Sequence, residues 1–340
     1  MQTTENVPSD VRVLELRPWL DLASYLVGFD LVSLSLGPGG ELYALAVTAL
    51  ANYRETASSG VSFLRVWTER PHNVRVLLFD GINVTQRDLL DQHWNFSHVH
   101  PLPDDELLFV VSRSRCFAAD VYDLNAKVFT EDGTFKREFL LGDGIRDMQT
   151  TTDGRIWTSY FDEGIFGNFG WREPIGKSGL SVWDRFGNRL FAYSPPPELG
   201  VFGKISDCYA LNVVSGTEAW CYYMDMTPAG GFSLIYLRHE RITATWESPI
   251  SGAHGIALWH DHILFCGRFR QQEEFNLFVL SDDGQMRHQL RFNIVDEQGA
   301  VLSARRAEVR GSMLVLRQDF RCYRLDIRDL IDSAVPIAFR

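Results

Sequence analysis

Cysteine is scarce: five residues (Cys116, Cys208, Cys221, Cys266 and Cys322) are scattered over 340 positions. An odd, dispersed set embedded in apolar runs does not make a disulfide framework. It reads as small core residues kept reduced, which points to a cytoplasmic setting. Long hydrophobic runs are also missing, since no stretch reaches the ~18 apolar residues of a membrane-spanning helix. The first ten residues, Met1 to Asp10, have neither a basic start nor an apolar stretch; they read as a flexible polar tail without a secretory signal. Without such a signal, the triplets Asn83-Val84-Thr85 and Asn95-Phe96-Ser97 are chance matches to a glycosylation site. Basic charge is in deficit: 33 Lys and Arg stand against 44 Asp and Glu, a net charge of −11. That balance argues against nucleic acid and anionic membrane surfaces as partners. No glycine-rich phosphate loop precedes a helix, and there is no G-x-S-x-G nucleophile elbow.

What the chain has in plenty is aromatic and β-branched sequence cut by turns. The clearest unit runs from Gln149 to Tyr193. In it Asp153-Gly154 is expected to form a two-residue hairpin turn, with Gly187-Asn188 as a second. The runs around them, rich in Trp, Tyr, Ile and Val, fit a pleated half-buried surface, so the unit is expected to be a four-stranded antiparallel sheet. Similar units follow and precede it. The first spans Leu31–Leu36, Leu42–Val47, Phe63–Trp67 and Val74–Phe79. The second runs from His98 to Leu141, the fourth over Tyr209–Trp246 and the fifth over Gly255–Ile294. The sixth has three strands only, Ala304–Val309, Met313–Leu316 and Cys322–Leu325. Trp19 to Gly28 is expected to be a short helix, as is Thr85 to Gln92, with Thr85 as its cap.

Repeats of roughly 45–60 residues with four strands each are the signature of a β-propeller. The fold expected is therefore all-β: a six-bladed β-propeller over residues 11–340, as a single domain. An open edge invites aggregation, so Val11 to Leu16 is expected to close the ring as the missing strand of blade six.

The segment Thr152-Asp153-Gly154-Arg155-Ile156-Trp157-Thr158-Ser159-Tyr160, followed by Gly164-Ile165, resembles the D-G-x-I-W-x-x-T-x-x-G-L repeat of two-component-regulator-type propellers. It is also similar to NHL and SMP-30/gluconolactonase-like six-bladed propellers. The resemblance implies architecture; such folds host hydrolases, lyases and plain binding scaffolds alike. SMP-30-like enzymes hold a divalent metal with carboxylates and amides on the axis, and that set is not matched here.

In such a ring the inner strands start at one face, and the loops between second and third strands open on the same face. Counting along each blade places Ser33, His98 with His100, Arg146-Asp147, Asp207, His254 and Arg305-Arg306 at the mouth of the central channel. Loops add Asp162, Glu163 and Asp225 on one side, and Arg113, Arg115, Arg268, Arg270 and Arg317 on the other. A mouth acidic on one side and basic on the other suits a polar, zwitterionic or anionic small molecule or a protein partner; alternatively, the charges pair with each other and do nothing more. His98 and His100 are expected on opposite strand faces, so that at most one of them meets the axis. His98, Asp147 and His254 form a conceivable site for a divalent metal such as calcium, although no cofactor is required. The loop from Gly164 to Trp171 is expected either to tuck over the blade edge or to act as a lid or contact patch. The function expected is a monomeric, non-catalytic binding propeller, the alternative being a hydrolase or lyase working through axial His and Asp residues.

Overall fold

The structure, a computed structural model, describes residues 11–56, 62–200 and 203–332. The expected tail at residues 1–10 lies outside them, as does the side chain of Arg306. Six sheets form the six blades of a propeller, and two additional two-stranded ribbons project from it. From the axis outward, blade one is Asp30–Leu36, Leu42–Val47, Trp67–Phe79 and Val84–Trp94, and blade two is His98–Leu102, Glu106–Val110, Ala126–Thr130 and Phe135–Phe139. Blade three is Ile145–Thr150, Ile156–Tyr160, Leu180–Trp183 and Arg189–Ala192; blade four is Ile205–Val213, Glu218–Asp225, Phe232–Arg238 and Arg241–Glu247. Blade five has the inner strand Gly255–Trp259, then His262–Arg268, Gln271–Leu280 and Met286–Val295.

Blade six is Glu308–Arg310, Met313–Gln318 and Arg321–Asp326, and its outer strand is Pro18–Asp21 from the other end of the chain. Pro18 pairs with Tyr323 and Leu20 with Cys322, antiparallel. An N-terminal strand thus closes the ring, but it is not the one expected: Val11 to Leu16 lies elsewhere. Arg12–Glu15 runs parallel to the outer strand of blade five, from Arg12 opposite Phe292 to Glu15 opposite Val295. Pro18 does not end a strand here but starts one, at a position where its missing N–H is tolerated. The helix expected over Trp19–Gly28 is therefore this strand followed by a single 3-10 turn, Ala23–Tyr25.

Two further expectations fail in blade one. Val84–Trp94 is a strand, not a helix. Phe63 belongs to a ribbon, Arg54–Thr56 with Ser62–Leu64, inserted between the second and third strands. The hairpins also differ from the two-residue turns expected. Thr151 and Arg155 close a three-residue loop in which Gly154 alone has positive φ, 82°. The Thr151 hydroxyl accepts the Arg155 N–H. Asp184 to Asn188 repeats the pattern with Gly187, its Asp184 carboxylate accepting the Asn188 N–H. A turn ending in a left-handed Gly matches the twist of the flanking strands.

The core lies between blades. Trp157, with no exposed surface, joins a cluster drawn from blades two, three and four. Of the five free cysteines, four are buried and Cys116 is partly exposed. Among the described residues, no helix is long and apolar enough to cross a membrane.

Candidate functional site

Along each inner strand, side chains at every second position face the axis. In blade three these are Asp147 and then Gln149; in blade six, Glu308 and then Arg310. The deeper members close the channel. Gln149 donates to the carbonyls of Leu211 in blade four and Val309 in blade six, and accepts from the Val213 N–H. Asn212 donates to the carbonyls of Ile256 and Gly311. Arg310 donates to the Leu36 carbonyl of blade one and the Thr150 carbonyl of blade three. These amides and the guanidinium tie blades one, three, four, five and six together across the axis. The mouth thus leads into a well with a polar floor.

Just above that floor stand Asp147 and Glu308, on blades three and six, which face each other across a six-membered ring. Burial pushes the Asp147 carboxyl up to about 6, against the Met148 N–H and the charge of Arg146. Burial, reinforced by the charge of Asp147 and opposed by Arg317, pushes Glu308 well above the usual carboxylate range. Both side chains keep some accessible surface. Water reaches them, yet protein encloses them. Asp207 on blade four is also pushed up to about 6, by burial, with Arg146 opposing and Asp162 adding to the rise. Among the described side chains, no ion pair within 4.0 Å joins Asp147, Asp207 or Glu308 to a cation.

The rim is cationic. Arg146 and Arg305 are exposed, and the Arg146 guanidinium lies 5.8 Å from the Tyr209 ring centre. The pKa of His254 is lowered by burial and then by the charges of Arg146 and Arg305. His98 is pushed down to about 4 by burial, with Nε2 3.1 Å from the Ser112 hydroxyl. His100 is lowered further by burial, by His98 and by Arg310. Both histidines therefore lie on the axial side, which corrects the expectation that at most one would. Residues i and i+2 of a strand share a face.

Other residues expected at the mouth are engaged elsewhere. Glu163 pairs with Arg113 at 2.5 Å, and Arg113 also grips Asp143 at 2.9 Å. Arg268 pairs with Glu274 at 3.0 Å. Asp225 accepts from Thr227 in the loop that follows it and from Ser233 on the next strand of its own blade. Asp162 opens the short helix Asp162–Phe166 beside Asp207. Arg317 reaches the Leu31 carbonyl at 3.4 Å, and the Ser33 hydroxyl is buried beneath the mouth. The loop ending at Trp171 is tucked in: the Trp171 indole donates to the Ser114 carbonyl and Phe169 lies under Arg113. His98, Asp147 and His254 do not form a three-ligand group; among the described residues no set of three metal-binding side chains comes together.

Glu308 escaped the sequence because Ala304–Arg306 is a 3-10 turn, so the inner strand of blade six begins later than expected. Its signal was the alternation Glu308-Val309-Arg310, polar residues flanking one apolar residue.

No family model matches the chain, and no curated protein matches it either. Among solved structures, a chain in the crystal structure of the mitotic checkpoint complex is 10% identical, with 96% of each chain covered and a TM-score of 0.49. A functionally unknown protein from Desulfotomaculum acetoxidans is 8% identical over 85% of this chain and 79% of that one, with a TM-score of 0.45. Apo AztD from Citrobacter koseri is 9% identical over 79% of this chain and 87% of that one, with a TM-score of 0.35. Likenesses this distant transfer neither activity nor partner; the propeller rests on the pairing of its own strands.

Proposed function

We propose that this propeller binds a small zwitterionic molecule in the axial well, its cationic group between Asp147 and Glu308 and its anionic group toward Arg146 and Arg305. One observation carries this: enclosed carboxylates lie below a rim holding Arg146 and Arg305, and among the described residues no ion pair within 4.0 Å joins Asp147 or Glu308 to either arginine. Burying charge without a partner costs stability, so such an arrangement suits a guest that supplies the missing partner. The well's acid–base character favours a second reading. A carboxyl near 6 beside one pushed well above the ordinary carboxyl range by burial is the kind of pair whose members can divide the roles of base and acid, as a hydrolase or lyase would need.

Calorimetry with glycine, β-alanine, γ-aminobutyrate, lysine and arginine tests the binding. Saturable binding by at least one of them is expected, lost in the Asp147→Asn/Glu308→Gln variant. The absence of binding by all five, or binding indifferent to that variant, contradicts the proposal.

A further inference from the structure

A second cleft opens on the mouth face, between blades one and two, away from the axis. It encloses about 510 Å³, within the range of small-molecule sites. Insertions build it. In blade one, the 3-10 turn Leu50–Tyr53 and the ribbon ending at Leu64 lead into Trp67; in blade two, Arg115 precedes a second ribbon, Cys116–Ala118 with Val121–Tyr122. Trp67 is 45% exposed, a large apolar face left open to solvent at the cleft.

Arg65, Arg70 and Arg115 line the same cleft, the first two from the continuous run 65–70 of blade one and the third from blade two. Of the two carboxylates lining it, Glu55 is taken up by Arg65 at 3.4 Å, which leaves Glu69 in the cleft; behind it, Asp123 accepts the Arg115 N–H at 3.2 Å and feels the Arg115 charge. Among the described residues, Arg70 and Arg115 are in no ion pair within 4.0 Å. Excess positive charge here stands out against a chain of net charge −11. The wall is held from behind: the Asn95 amide donates to the carbonyls of Asn52 and Arg65 at 3.4 and 3.1 Å. An indole face beside guanidinium groups suits a ring carrying a negative charge, stacked on the first and paired with the second.

We propose that this cleft is a binding site for an anionic aromatic small molecule, with its ring on Trp67 and its anionic group held by Arg70 and Arg115. The site is independent of the axial well.

Phenyl phosphate is the probe, titrated by calorimetry and by ligand-observed NMR. Benzoate separates phosphate from carboxylate recognition, inorganic phosphate removes the ring, and benzamidine reverses the charge. Phenyl phosphate or benzoate is expected to bind saturably, inorganic phosphate more weakly and benzamidine not at all. Arg70→Ala/Arg115→Ala, at exposed positions that leave the fold intact, is expected to weaken binding about tenfold or more, as loss of charged contacts does. Trp67→Ala should weaken it too, while Asp147→Asn should leave it unchanged. Failure of both aromatic anions to bind overturns the proposal. So does binding unaffected by the arginine variant, or equal binding of benzamidine.

Discussion

Asp147 behaves opposite to most carboxylates in folded proteins. Its folded pKa of about 6 lies above the ordinary value of 3.8, so between these two pH values the folded state holds a proton that the unfolded state has released. Stability is therefore lost as pH rises through this window, and the cost is fully present above it. Removing the charge should relieve that cost. Asp147→Asn, which keeps an oxygen to accept the Met148 N–H, should stabilise the protein at pH 8 by ~1–3 kcal/mol, the upper end discounted for the water that reaches the group. The gain should vanish near pH 4. Denaturant unfolding of both proteins at the two pH values measures it, and equal stability at pH 8 would show that Asp147 is not enclosed. Asp147 was legible in the sequence, as a polar residue at the start of an apolar inner strand. Glu308 was not, because a 3-10 turn displaced the strand on which the count depended.

At the scale of elements, hairpins between apolar runs were readable and exposed edges were not. The outer strand Val84–Trp94 carries charged and polar residues on both faces, so no two-residue alternation marks it. Thr85 with Asp88 three residues on then imitates a helix cap. At the N-terminus, Val11–Leu16 was expected on blade six and lies on blade five, while the strand that does close blade six was read as the start of a helix. Two short strands, Arg12–Glu15 and Pro18–Asp21, sit on neighbouring blades, and Pro18 looked like an end when it was a beginning. A pair of truncations separates their roles. Removing residues 1–16 takes away Leu14, a buried core residue, and should cost ~2–5 kcal/mol while leaving a monomeric closed ring. Removing residues 1–22 takes away the outer strand of blade six and should give aggregation through the exposed edge. Sedimentation and thermal melting of both truncations decide the matter: aggregation of the shorter truncation would return the closing role to Val11–Leu16.

The whole molecule is a ring whose channel is shut by its own side chains at one end and open to charge at the other. Gln149, Asn212 and Arg310 satisfy backbone groups across the axis. Asp147 and Glu308 each stand two residues nearer the mouth than their floor partners; Asp147 accepts from the Met148 N–H and from Leu211 on the neighbouring blade, yet burial still holds both carboxyls above their ordinary range. Sequence placed Asp147, Asn212 and Glu308 within inner strands and ended the blade-six strand at Val309, one residue short of Arg310; it could not show which would be bonded across the ring, since that depends on how closely blade six approaches blades three and four. The most direct measurement is a carbon-13 NMR titration of the Asp147 and Glu308 carboxyls in the folded protein, with and without lysine. Asp147 should titrate near 6 and Glu308 well above the ordinary carboxyl range, and both midpoints should fall when the amine is bound. Titration of both in the ordinary carboxyl range, unmoved by lysine, would mean that the well is a solvated surface and not a binding site.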